Sequence, residues 1–411
     1  MPILLEEDLQ RPLPRMYRVR QQFDETRLED VAGTVRAELA KPEIRALVKP
    51  GMRIAVGVGS RGIQNLYTIV ETTVNSLKEL GAEPFIVSAM GSHGGGTEEG
   101  QREVLAGYGI TEERLGVPVV TTVDTVQLGA CENGRPVWFD RAAYEADLIV
   151  PINRVKLHTD FVGPIQSGLC KMLVIGLGNH KGCSAVHEEA PEVFADAIEE
   201  TARLILQKAP VGFGIAILEN AYDKTYAVEA VPAEHLVERE KELVQIAKGN
   251  MPYIMLDEAD VIVCGAIGKD ISGAGFDPNI LGRSSVLKQF VLHIPRYQRL
   301  VLCDVTPASH GNGIGVGLFD VITKKVAEQL DLESMYANAI ACNCLGDASV
   351  PCTVDDEETA IRVALKCCRN IDRDHPRIIR IQNTLHLGEI EVSEALLDAV
   401  RADPRMSLIE N

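Results

Sequence analysis

A six-residue apolar run, RIAVGV from Arg53 to Val58, is followed by an amphipathic stretch and then by a second run, PFIVSAM from Pro84 to Met90. Between them Leu66, Ile69, Val70, Thr73, Val74 and Leu77 recur at helical spacing over Asn65 to Leu80, and Gly81 closes the helix. Parallel strands need a crossover, and a helix fills it. No other feature restricts the fold as much: the unit predicts an α/β architecture with a parallel sheet. The same pattern returns in ADLIVPI (Ala146–Ile152), in DEADVIVCGAIG (Asp257–Gly268) and in RLVLCDVT (Arg299–Thr306). Helices are expected over Asp30–Leu39, after Thr97, near Ala190–Pro191, over Ala233–Lys248 and over Gly317–Leu330. The predicted organisation is two α/β domains, residues 1–252 and 253–391, each with a mostly parallel sheet flanked by helices and with the active site in the cleft between them. A helical tail, 392–411, is free to pack back on the first domain.

At 411 residues the chain is long enough for two cores. Lys and Arg number 41 against 59 Asp and Glu, a net charge of −18, which argues against nucleic-acid or anionic-membrane partners. The start, MPILLEEDLQRPLP, lacks the basic and apolar regions of a signal peptide. No apolar run reaches the ~20 residues of a membrane span. The ten cysteines are scattered and form no CxxC motif, so they read as reduced thiols of a cytoplasmic protein.

The segment Pro151–His187 holds three of the nine histidines, glycines 163, 168, 176, 178 and 182, and a Ser-Gly-Leu-Cys-Lys turn from Ser167 to Lys171. Glycine at this density allows close backbone approach. The charged and imidazole groups between the glycines make a ligand the expected object of that approach. A second glycine loop, Gly57-Val58-Gly59-Ser60-Arg61-Gly62, matches the dinucleotide fingerprint after a strand and before a helix. The next strand ends at Val87-Ser88-Ala89-Met90 without the acid or arginine such a site needs for the ribose. A turn that merely shapes the connection is the plainer alternative. His93 and His158 lie in glycine-flanked or polar loops, where an imidazole suits acid–base work near neutral pH. Lys171 and His187 are open to reading as a surface lysine and a helix-start histidine; His180, Lys181 and Cys170 compete with them.

These residues together resemble the nickel-dependent lactate racemases, which carry a nickel-pincer nucleotide (pyridinium-3,5-bisthiocarboxylic acid mononucleotide with nickel). The resemblance runs in order over Gly57–His187 and rests on Gly59-Ser60-Arg61-Gly62, Gly91-Ser92-His93-Gly94 with Thr97, His158, the Ser167–Lys171 turn and His187. It implies a cofactor-binding turn at Ser167, Gly168 and Lys171, with Lys171 as the covalent attachment point. It also implies His187 as nickel ligand, His93 and His158 as the acid–base pair, and Arg61 on the substrate carboxylate. Lys269 and Asp277, in the polar loop after a second-domain strand, are candidate substrate contacts. The implied activity is racemisation or epimerisation of a small-molecule 2-hydroxy acid by removal and return of hydride, with the cofactor's biosynthetic enzymes as partners. Val58 and Gly62 stand where the family has aspartate and proline, and Gly94 where arginine commonly follows the histidine. Those departures point away from lactate, towards a larger or more polar hydroxy acid. An NAD-dependent 2-hydroxy acid dehydrogenase, a three-histidine zinc hydrolase and a non-catalytic nickel-cofactor-binding protein are the alternatives.

Overall fold

A computed structural model describes residues 4–410. The chain forms two compact units: residues 25–251 make one, and the residues up to Asp24 join those from Pro252 onward in the other. The first strand, β1 (Met16–Gln21), belongs to the latter.

Residues 25–251 contain β2 (Arg53–Val58), β3 (Glu83–Ser88), β4 (Val119–Val120), β5 (Thr125–Ala130), β6 (Pro136–Asp140), β7 (Leu148–Arg154), β8 (Phe213–Glu219) and β9 (Thr225–Pro232). Six of them form one sheet in the order β4-β3-β2-β7-β8-β9, parallel except for the antiparallel β8–β9 pair. β5 and β6 form a separate antiparallel ribbon. Strand β2 is buried from Ile54 to Val58, as an inner parallel strand covered on both faces must be. The helix Leu66–Glu79 lays Leu66, Ile69, Val70, Val74 and Leu77 onto Ile54, Val56 and Ile86 of the sheet. The side chains of Asp30 and Thr97 cap the helices Val31–Leu39 and Glu98–Gly107, accepting from the N–H groups of Gly33 and Gly100. The helix expected near Ala190 begins only at Phe194. Arg135 and Asn133 hold the carboxylate of Glu189, which pins the chain in a turn before the helix starts.

The other unit adds β10 (Val261–Cys264), β11 (Arg299–Leu302), β12 (Val321–Thr323), β13 (Cys352–Val354), β14 (Ile378–Ile381), β15 (Glu389–Ser393) and β16 (Met406–Leu408). Its sheet runs β13-β12-β11-β10-β14-β15-β1-β16, parallel from β13 to β14 and antiparallel thereafter. Three expectations need correction. The stretch Gly317–Leu330 is not one helix: Val321-Ile322-Thr323 is a buried strand beside β11, and Thr323 caps the short helix Lys324–Gln329. The first residues do not lead into the 25–251 unit, because β1 lies between β15 and β16 with Val19 fully buried. The tail from Val392 is not a helical appendage to the first domain. Ile390 and Val392 alternate with Glu389 and Glu391, the period of a strand, and Glu389 meets Arg18 and Arg20 across the β1–β15 pair. Only Leu397–Ala402 is α-helical before β16 returns to β1. No helix among the described residues is long and apolar enough to cross a membrane.

Val19→Asp should therefore damage the unit built from 252 onward, through an uncompensated buried charge on the scale of ~3–5 kcal/mol. Limited proteolysis with mass mapping should show new cuts after residue 252 while residues 25–251 stay protected.

Candidate active site

In the 25–251 sheet β2 comes first in sequence, β3 and β4 follow on one side of it, and β7 lies on the other. The strand order thus reverses at β2, and ligands of open α/β sheets bind beyond the strands' carboxyl ends at such a reversal. The segments leaving β2, β3 and β7 carry Ser60 with Arg61, His93, and His158. The helical segment from Leu169, which continues as a π-helical turn over Met172–Gly176, carries Lys171. Single π turns of this kind recur at functional sites.

The Lys171 amine is in close contact with His158 Nε2. The far side of that ring fixes how the contact is made. His158 Nδ1 accepts the Asp160 backbone N–H at 3.0 Å, so in the neutral ring the proton sits on Nε2, facing the lysine. An ammonium would then oppose an N–H; a neutral amine accepts from it. Burial is the main force on both groups. It pushes Lys171 down to about 8, with Asp160 opposing and Arg61 assisting. It holds His158 well below its ordinary value, helped by the Lys171 and Lys156 charges. Gln166, itself buried, accepts the His158 backbone N–H at 2.8 Å and keeps the loop closed.

Phe161 stacks on the His158 ring with centroids 4.3 Å apart. Phe194 lies 4.8 Å beyond it, and the edge of His187 follows at 5.1 Å from Phe194. Two histidines far apart in sequence are thereby held by one row of aromatic packing. His187 Nδ1 is 2.7 Å from the Cys183 carbonyl oxygen, which can only accept. The proton is therefore on Nδ1, and Nε2 keeps its lone pair for a ligand. The Cys183 thiol lies 3.5 Å from the same nitrogen. Among the described residues no three His, Cys, Asp or Glu side chains are grouped to hold a metal ion, so a metal at His187 would need donors from outside the chain.

His93 is exposed, and its Nδ1 meets the Ser60 hydroxyl; Tyr108 in turn donates to the Ser60 carbonyl at 2.8 Å. Ser92 approaches Cys183, with Oγ and Sγ 3.8 Å apart, which brings the His93 loop beside the His187 helix. Gly91, at φ 62°, allows this approach: a Cβ there would meet the Ile175 carbonyl oxygen at 3.0 Å. Arg61 is exposed at the rim, close enough for its charge to act on both His158 and Lys171. The fingerprint-like loop around it lacks the feature a dinucleotide requires. The Gln64 N–H at the helix entrance is already taken by Glu219 at 2.7 Å, a carboxylate where a pyrophosphate would have to sit.

Most of the other sequence candidates have partners of their own. Ser167 is paired through its backbone with Lys156. Gly168 faces the buried Glu240, and Cys170 is buried beside it. His180 is exposed, and Lys181 lies over the Trp138 ring. Lys269 and Asp277 belong to the other unit. The Lys269 amine binds the Gly273 carbonyl and Asn338. Asp277, expected at substrate, is instead 8% exposed and caps the turn Pro278–Leu281, its own N–H bound by Thr384. Sequence reasoning missed Ser60 as a partner of His93, and also Phe161, Phe194 and Cys183. Of these Cys183 had a signal, its four-residue spacing from His187 on a helix.

An amine and imidazoles are thus gathered with arginine and lysine on an α/β sheet of an acidic chain. Residues 11–196 match the lactate racemase N-terminal domain. The fold is similar to that of the lactate racemase apoprotein from Thermoanaerobacterium thermosaccharolyticum, with 12% identity, a TM-score of 0.53, and coverage of 89% of this chain and 93% of that one. A protein from Thermotoga maritima aligns at 14% identity with a TM-score of 0.49, over 80% of this chain and 85% of its own. No curated protein matches the sequence.

With Lys171 near 8 in the folded chain and 10.5 ordinarily, folding disfavours its charged form at every pH where the unfolded lysine is protonated. Lys171→Met should consequently raise the melting temperature. The gain should be largest below about pH 8 and should shrink as pH rises towards 10.5, in thermal melts across that range.

Proposed function

We propose that this protein racemises or epimerises a 2-hydroxy acid, using a nickel-pincer nucleotide joined to Lys171. The observation that carries the reading is the contact between the Lys171 amine and His158 at the reversal point of the parallel sheet. An ammonium cannot form a covalent bond to a cofactor acyl carbon, and the lowered pKa of Lys171 gives it a larger share of the nucleophilic neutral amine near neutral pH.

The donors present fit the group. Lys171 would hold its organic part, His187 Nε2 would supply a soft-to-borderline nitrogen to nickel, and Lys156 and Arg61 would balance anionic charge. When bound, this cofactor supplies a hydride acceptor, which a racemase of unactivated C–H bonds needs. The chain supplies the rest. Arg61 is suited to hold the substrate carboxylate bidentately and so fix which face of the carbon is presented. His93 and His158 are assigned to take and return the hydroxyl proton, one for each hand of the substrate; for His158 this requires Nε2 to give up its proton, so its contact with Lys171 must change when the cofactor is attached. His93 is oriented for this by Ser60, and His158 by the Asp160 N–H and the Phe161 ring. Phe161 and Phe194 also limit water beside His158 and His187.

Intact-mass and metal analysis of protein made together with the cofactor's biosynthetic enzymes tests the reading. A covalent adduct and nickel are expected on the native chain. Lys171→Ala should lose both. His187→Ala should keep the adduct and lose nickel. An adduct that survives in Lys171→Ala would refute the assignment.

His93→Asn and His158→Asn should each lower racemisation ~10²-fold or more, because a round trip needs both bases. In single-turnover assays with pure stereoisomers, each variant should still oxidise one hand. Solvent deuterium appearing at the 2-position would refute internal hydride return. Tight binding of free NAD with no lysine adduct would favour a dehydrogenase instead.

A further inference from the structure

Glu240 lies on the helix Leu236–Asn250, outside every loop that carries the site, and is 1% exposed. Its Oε2 accepts the Cys170 N–H at 2.9 Å, and the Leu169 N–H also acts on the carboxylate. Its Oε1 is buried with no hydrogen-bond partner. Burial pushes the Glu240 carboxyl up to about 7, the backbone donors opposing. A raised carboxyl pKa means that stability is lost as pH rises from the ordinary 4.5 through 7, so at neutral pH this side chain weakens the fold. A buried apolar or amide side chain would avoid that penalty.

The sequence makes room for it. A Cβ at residue 168 would lie 2.6 Å from the Glu240 carboxyl carbon and 2.7 Å from both its oxygens. Glycine in the Ser-Gly-Leu-Cys-Lys turn therefore leaves the gap through which the carboxylate reaches the backbone. From the other side Asn153 Nδ2 donates to the Gly168 carbonyl at 2.8 Å. The turn is gripped at 168 and at 169–170, immediately before the lysine.

We propose that Glu240 is the positioning residue for Lys171: its carboxylate, entering through the gap at Gly168, fixes the Leu169–Cys170 backbone so that the lysine amine is held against His158. The proposal rests on the reading of Lys171 as the working amine. It explains why a polar, half-satisfied side chain occupies the interior beneath that turn.

The test uses the full-length apoprotein. Lys171 is reductively methylated with formaldehyde and cyanoborohydride across pH, and its labelling is followed by peptide mass spectrometry. The native midpoint is expected at about 8. Glu240→Ala should move it upward by roughly one pH unit or more as the amine leaves its desolvated position. Gly168→Ala, which forces the carboxylate out, should do the same. Glu240→Gln keeps an acceptor oxygen and should shift the midpoint less, while melting at or above the native temperature at pH 8. If Glu240→Ala fails to fold, Gly168→Ala and Glu240→Gln carry the test. A folded Gly168→Ala protein with the native Lys171 midpoint would overturn the proposal, as would a Glu240→Ala protein that loses only melting temperature. Failure of the nickel-cofactor reading is separate: a native protein without an adduct would sink that reading and leave this assay's answer standing.

Discussion

A lysine whose ammonium form is disfavoured has to be kept so by its surroundings, and the contacts around Lys171 in the 25–251 unit serve that need. Lys171 is partly buried and faces an imidazole whose other nitrogen is already occupied by a backbone N–H. The loop after β7 must close for the Asp160 N–H to reach the ring, and Gln166 closes it. Phe161 must lie under the ring, and Phe194 under Phe161, which fixes where the next helix starts. Arg135 and Glu189 secure that turn from the ribbon side. Each of these contacts lies on a different element, yet all of them bear on the state of one nitrogen.

Charge works in the same direction. The chain carries a net −18, but Arg61, Lys156, Lys171 and His187 gather where His158 stands. Asp160 is an acid that acts on Lys171, and it is half exposed. Like charges held together in a partly dehydrated site destabilise one another, and an anionic ligand removes that repulsion. The two imidazoles differ in kind. His158 is kept neutral by burial and its cationic neighbours, whereas in His187 the bonds to Cys183 overcome burial and raise the pKa.

Elements with a local signature were legible in the sequence. The Arg53–Met90 unit shows its strands, its helix period and its closing glycine, and the Thr97 cap announces the helix after it. The polar loops that hold His93 and His158 were equally visible. What was not legible depends on distant partners. Val321-Ile322-Thr323 is too short to show a period, and it becomes a strand only because β11 and β13 lie on either side. Glu240 reads as an ordinary helical glutamate, and nothing near it in sequence tells of Cys170 some 70 residues away. Phe161 and Phe194 look like any core aromatics until the rings between which they stand are placed. Asp277 looked available for substrate because its loop is polar; the structure uses it as a cap.

The position of β1 has a consequence for how the molecule is made. Met16 pairs with Ser393 and Val19 with Leu408, so a strand made early has its partners far later in the chain. Residues 25–251 contain their own sheet and can fold while synthesis continues, but β1 must wait, unpaired, until β15 and β16 have been made. Loss of β15 and β16 would leave β1 with open edges on both sides. A chain that has not yet reached them presents a sticky strand for quality control to find.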